Sequence, residues 1–187
     1  MHRRRAISLL GLLAGGTALE FSGVLAGCNE PERATGILTK EDIQLLDQVG
    51  EALLPATPGV PGAAAARVGD YIQAIVTDCF HKQDQVFFLK GMTQLREAIL
   101  QKTGGTFDKL QNDERKAVVL FLDEQAGTYK PAKPGDAPQH YYAVMKGLII
   151  TGYFTSEAGT TKALRYEAVP GKFRGDIPFK PGDKAFA

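Results

Sequence analysis

Histidine, cysteine and clustered carboxylates are the first side chains to test for chemistry, because metal ligation, nucleophilic attack and proton transfer draw on them. His2, His81 and His140 are too scattered to form a helical His pair, and Cys28 and Cys79 are isolated, with no Cys-x-x-Cys-His for covalent haem. Asp70, Asp78 and Asp84, like Asp113, Glu114, Asp123 and Glu124, read as solvated helix faces, since nothing beside them points to a cleft. Of the glycine-rich stretches, GVPGAAAARVG lacks the preceding strand and spacing of a dinucleotide site, and AGTTKAL lacks the first glycine of a phosphate loop. The expectation is therefore a chain with no catalytic, cofactor-binding or metal-binding residues of its own. The enzymatic alternative is a site in which His140 works with Tyr141 or a carboxylate as acid and base.

The chemistry that does stand out concerns the amino terminus. Arg3, Arg4 and Arg5 precede an apolar run over 7–19, and Leu25, Ala26 and Gly27 supply small residues before Cys28. That order is the order of an export signal. Glu20 and the glycines interrupt the run, which argues against a permanent membrane span. Arg4 and Arg5, followed by Ala6 and Ile7, resemble a twin-arginine signal, the route of proteins that cross a membrane already folded. A plain arginine-rich secretory start is the alternative. LAGC resembles a bacterial lipobox, in which Cys28 becomes the lipidated first residue; an ordinary cleavage site beside a bystander cysteine is the other reading. The expected organisation is a signal peptide over 1–27, a tether over 28–37 and a domain over 38–187, in a protein exported to the periplasm and held at the membrane by lipid.

The 187 residues, 44% hydrophobic and 23% charged, suit one globular domain. Removing the leader takes away three arginines and one glutamate, which changes the formal charge from +1 to −1 and leaves no basic footprint for nucleic acid. Five helices are expected. The first begins at Thr39 as N-cap, with Asp42 in a capping-box position, and ends at Pro55. PATPGVPG is a loop. A second helix is read over 63–79, with Val68, Ile72, Ile75, Val76 and Cys79 on one stripe, which favours a buried, inert Cys79 thiol over an intermolecular bridge. A third over 84–102 buries Phe88, Leu89, Met92, Leu95 and Ile99 and stops at Gly104 and Gly105. Asn112 caps a fourth that turns Val118, Phe121 and Leu122 inward and closes at Gly127, and a fifth carries Tyr141, Tyr142, Met145, Leu148 and Ile149. The fold class is all-α, one compact domain with an irregular tail from about 156. That tail spaces Tyr166, Phe173, Phe179 and Phe186 at no helical period, as a segment would that docks into a groove of its own domain or of a partner.

LLPATPGVPGA, VGDYI, DCF and GYFTSEAGTTKALRYEAVPG resemble the gluconate 2-dehydrogenase subunit 3 family, over most of the mature chain. The resemblance implies a non-catalytic small subunit of a periplasmic, membrane-associated sugar or polyol dehydrogenase. Its partner would be a flavoprotein of the glucose-methanol-choline oxidoreductase type that holds FAD and performs the oxidation, and a cytochrome c subunit with haem c often takes the electrons onward. The small subunit would carry the twin-arginine signal for both chains. The lipobox is not carried over from the family. On this view Gly152, Tyr153, Phe154 and Thr155, with Arg165 and Tyr166 as an anchor pair, are candidate partner contacts, core packing being their alternative. Cys79, in the DC pair, is the candidate for an intersubunit disulfide. A free-standing exported lipoprotein that binds a ligand or scaffold by itself is the competing reading, and an apolar cavity inside the helices would favour it.

Overall fold

The computed structural model describes residues 36–133, 137, 139–169, 171–172, 175–178 and 180–186. Arg4, Arg5, Cys28, Phe173 and Phe179 lie outside these. Five α-helices carry the fold: α1 (Lys40–Leu53), α2 (Val68–Ala74), α3 (Lys82–Thr103), α4 (Asn112–Thr128) and α5 (Tyr141–Thr155). Among the described residues there is no strand, only isolated bridges between Thr57 and Val60 and between Arg165 and Phe186.

Helix α1 starts as its sequence dictates. The Thr39 hydroxyl accepts from the Asp42 N–H at 3.1 Å while the Asp42 carboxylate accepts from the Thr39 N–H at 2.9 Å, so two orphan donors of the first turn are satisfied reciprocally. The same carboxylate accepts from Arg96 of α3 at 2.6 Å. Burial alone would push the Asp42 carboxyl up; the Thr39 N–H and hydroxyl and the Arg96 guanidinium outweigh it and hold the group below the usual carboxylate range. Leu46 and Val49 of α1 pack with Ile72, Phe88, Leu95, Leu122, Tyr142 and Ile149 in one core to which all five helices contribute.

The second helix departs from its expected form. The 63–79 segment is a 3-10 turn (Ala63–Ala66), then Arg67 in the left-handed region at φ +51°, then α2, then a π-helical turn (Ile75–Cys79). The Arg67 guanidinium pairs with Asp70 at 2.5 Å, and the Arg67 carbonyl accepts from the Asp70 N–H at 3.1 Å. The break lets α2 lie hard against α1: a Cβ at Gly69 would run into the Ile43 carbonyl, and the Gly69 N–H donates to Asp47 at 2.8 Å. The wide π turn then shifts the helical stripe. Val76 stays buried, whereas Cys79 emerges, so the expected buried thiol is corrected to an exposed, free one.

Helix α3 starts two residues early, and Phe88, Met92, Leu95 and Ile99 are buried as expected, but Leu89 is exposed. In α4 the capping role belongs to Gln111, whose N–H donates to Glu114 at 2.8 Å, rather than to Asn112. Phe107, on a short 3-10 turn (Phe107–Lys109), enters the core, and the Arg115 guanidinium lies over its ring at 5.5 Å. The tail is less irregular than expected at its start, where a second π-helical turn (Gly159–Ala163) follows α5.

Candidate functional site

The Pro/Gly loop 55–62, the Arg67 turn, α2 and the C-terminal half of α5 come together in one place. Glu51, near the end of α1, organises the loop: its two carboxylate oxygens accept from the Ala56 N–H at 3.0 Å and the Ala64 N–H at 2.9 Å. Inside that bracket Thr57 and Val60 exchange backbone hydrogen bonds of 2.9 Å, and the Ala63 N–H donates to the Leu54 carbonyl at 2.9 Å. Tyr153 of α5 reaches in and donates its hydroxyl to the Pro61 carbonyl at 2.6 Å. One residue earlier, Gly152 leaves room for the Tyr71 ring of α2, which a Cβ would approach to 2.5 Å. Beyond α5, Gly159 sits so close to the Tyr153 carbonyl that no Cβ fits there. Three of the four sequence signatures thus form one tightly packed surface, secured by hydrogen bonds and by glycines at points of close approach.

This surface separates the predicted contact residues. Tyr153 is only 4% exposed and Gly152 is buried, so both belong to the packed interior; burial, with the Glu51 carboxylate nearby, pushes the Tyr153 hydroxyl up. Phe154 is half-buried against Tyr153, edge to face at 5.0 Å between ring centroids. Thr155 is exposed, its hydroxyl returned to the Thr151 carbonyl at 2.7 Å. Arg165 and Tyr166 are exposed, but Arg165 is engaged: its guanidinium lies 4.5 Å from the Phe186 ring centroid and its backbone N–H donates to the Ala185 carbonyl at 2.8 Å. The role of Phe186 as partner of Arg165 was not legible beforehand, because the two are 21 positions apart on irregular chain. Glu51 was equally silent, being one acidic residue among several on α1.

The acid–base alternative meets a structural His140. Its Nδ1 accepts from the Tyr142 N–H at 3.3 Å, capping α5, and its ring packs at 4.2 Å on Tyr141 and 5.4 Å from Tyr129. Burial lowers its pKa, which suits an acceptor nitrogen that must stay unprotonated. The Tyr141 hydroxyl points at the Gln94 carbonyl at 3.5 Å, and burial, then Glu97, pushes it up to about 12. Tyr142 is wholly buried, its hydroxyl unpartnered among the described residues and pushed up by burial. Among the described residues no three His, Cys, Asp or Glu side chains cluster as metal ligands would, and no helix is long and apolar enough to cross a membrane. An open groove of about 490 Å³ lies between α1 and the end of α3, where Leu45, Ile99, Leu100 and Phe107 sit with Arg96 and Glu41. Arg96 is already committed to Asp42 there. Helix α3 also exposes Val86, Leu89 and Leu100, the last of which lines the groove.

A family model described as gluconate 2-dehydrogenase subunit 3 matches residues 40–171. No curated protein and no solved structure matches the chain. The matched span runs from the first residue of α1 to just beyond Arg165 and Tyr166, so it takes in the whole packed surface.

Proposed function

Since this chain belongs to the gluconate 2-dehydrogenase subunit 3 family, and so to the subunits of a dehydrogenase complex, we propose that it is the non-catalytic small subunit of an FAD-dependent sugar or polyol dehydrogenase and the export escort of its flavoprotein partner. The match over 40–171 carries this reading. In the described residues His140 caps a helix, Tyr141 faces a carbonyl and Arg96 pairs with Asp42, which are roles in holding the fold.

The escort role follows from what the flavin demands. A partner that acquires FAD in the cytoplasm would lose it on unfolding, so it must cross the membrane folded, and one leader serves two chains only if their interface survives transit. Such an interface is large and partly apolar. Arg4 and Arg5 would then be read by the twin-arginine translocation machinery on behalf of both chains, and Cys28 would carry lipid that holds the complex at the periplasmic face of the membrane beside its electron acceptor, with a cytochrome c subunit as the onward carrier.

Replacing both Arg4 and Arg5 by lysine in the native host tests the escort role. The expected result is a flavin-containing dehydrogenase that stays in the cytoplasm together with this chain. A partner that reaches the periplasm unchanged would refute it.

A further inference from the structure

The packed core ends at Ala163; every described residue from Arg165 to Phe186 is exposed. This stretch nevertheless begins and ends in the same place. The Arg165 N–H donates to the Ala185 carbonyl at 2.8 Å, Arg165 and Phe186 form a parallel bridge, and the guanidinium covers the Phe186 ring at 4.5 Å. The Lys184 ammonium donates to the Lys162 carbonyl on the π turn. Just before that closure, the Lys180 N–H donates to the Asp183 carboxylate at 2.8 Å and the Asp183 N–H to the Lys180 carbonyl at 3.0 Å, around Gly182 at φ +97°. The chain end is thus a loop tied at its base, and it holds Tyr166 (58% exposed), Val169 (82%) and Ile177 (45%) in water.

Charge divides the molecule at the same point. Residues 37–164 carry thirteen basic and fifteen acidic side chains, whereas the loop 165–186 carries five basic and three acidic ones. A segment with net charge +2 following a body with net charge −2 favours acidic partners over basic ones. From these facts, and resting on the small-subunit reading above, we infer that the tied loop 165–186 is a docking element that seats Tyr166, Val169 and Ile177 in an acidic-rimmed apolar groove of the flavoprotein. Three exposed apolar side chains gain by burial, and the tie at the base of the loop lowers the ordering cost that a free tail would meet on binding. An anionic membrane would also attract the charge. The protein groove fits better, because Glu167, Asp176 and Asp183 are interspersed with the cations and the apolar residues ride on irregular backbone rather than on one face of a helix.

The test uses the full-length chain captured from the native host, with the flavin-containing chain that accompanies it as the probe. Replacing Tyr166, Val169 and Ile177 together by serine should lower the recovered flavoprotein at least about tenfold, with the melting temperature of the small subunit unchanged within about 2 °C. A second variant, Lys172→Glu with Lys180→Glu, alters only exposed charge and should weaken retention most at low salt, its deficit against wild type shrinking as salt is raised. Wild-type retention by both variants overturns the docking element while leaving the small-subunit reading intact. Absence of any flavoprotein from the wild-type capture overturns both. Binding of the wild-type chain, but not the serine variant, to phosphatidylglycerol vesicles, with flavoprotein retention unaffected, overturns it by assigning the loop to lipid.

Discussion

The single signature GYFTSEAGTTKALRYEAVPG spans two regions that the fold treats in opposite ways. Its first half is locked: Gly152 and Gly159 stand where no side chain fits, and Tyr153 is tied to Pro61 across 92 positions of sequence. Its second half is offered to solvent: Arg165 and Tyr166 open a loop that is secured only at its base. A family signature is therefore not one functional unit. The locked half fixes where the loop leaves the domain, and the described residues of the loop lie in solvent.

That contrast can be broken in graded steps. The largest effect is expected from Gly159→Ala, whose Cβ would meet the Tyr153 backbone carbonyl rather than a movable side chain; a loss of about 3 kcal/mol in chemical denaturation is expected, in the range of overpacked sites. Tyr153→Phe removes one short hydrogen bond and keeps the ring, so denaturation should show a loss of about 1 kcal/mol. A subtler probe is pH. Because burial lowers the His140 pKa, its neutral form is the one the fold favours. Its contribution is complete above the ordinary histidine pKa of about 6.5 and is lost as pH falls through the lowered folded value. Thermal melts between pH 7.5 and 5 should show a decline in wild type that His140→Asn, which retains a capping side chain, reduces. The smallest effect should come from Tyr166→Ala: on the loop side of the divide it should change stability by no more than about 0.5 kcal/mol. A cost near that of Tyr153→Phe would erase the distinction between the two regions.

Much of the bundle could be read from residue order, because local rules decide it. The Thr39–Asp42 capping box, the buried stripe of α3 and the Gly104 stop each need only neighbours within a turn or two. The second helix could not be read so. Its break depends on Arg67 adopting φ +51° and on Gly69 meeting the Ile43 carbonyl 26 positions away, and neither leaves a mark on hydrophobic periodicity. The π turn had the same effect on Cys79: a stripe drawn at 3.6 residues per turn placed the thiol inside, and one wide turn carried it out. At the candidate contact surface, residue type alone made Tyr153 and Tyr166 look alike. Only the long-range packing, 4% against 58% exposed, separates an interior strut from a surface anchor.

The central claim, that this chain is the small subunit of a flavin-dependent dehydrogenase, is tested most directly by immunocapture of the untagged chain from detergent-solubilised cells of its native host, with a flavin absorbance spectrum of the eluate. The account predicts a flavoprotein in about 1:1 ratio whose flavin is bleached by a sugar or polyol. Recovery of the chain alone, without flavin, under conditions that preserve complexes would contradict it.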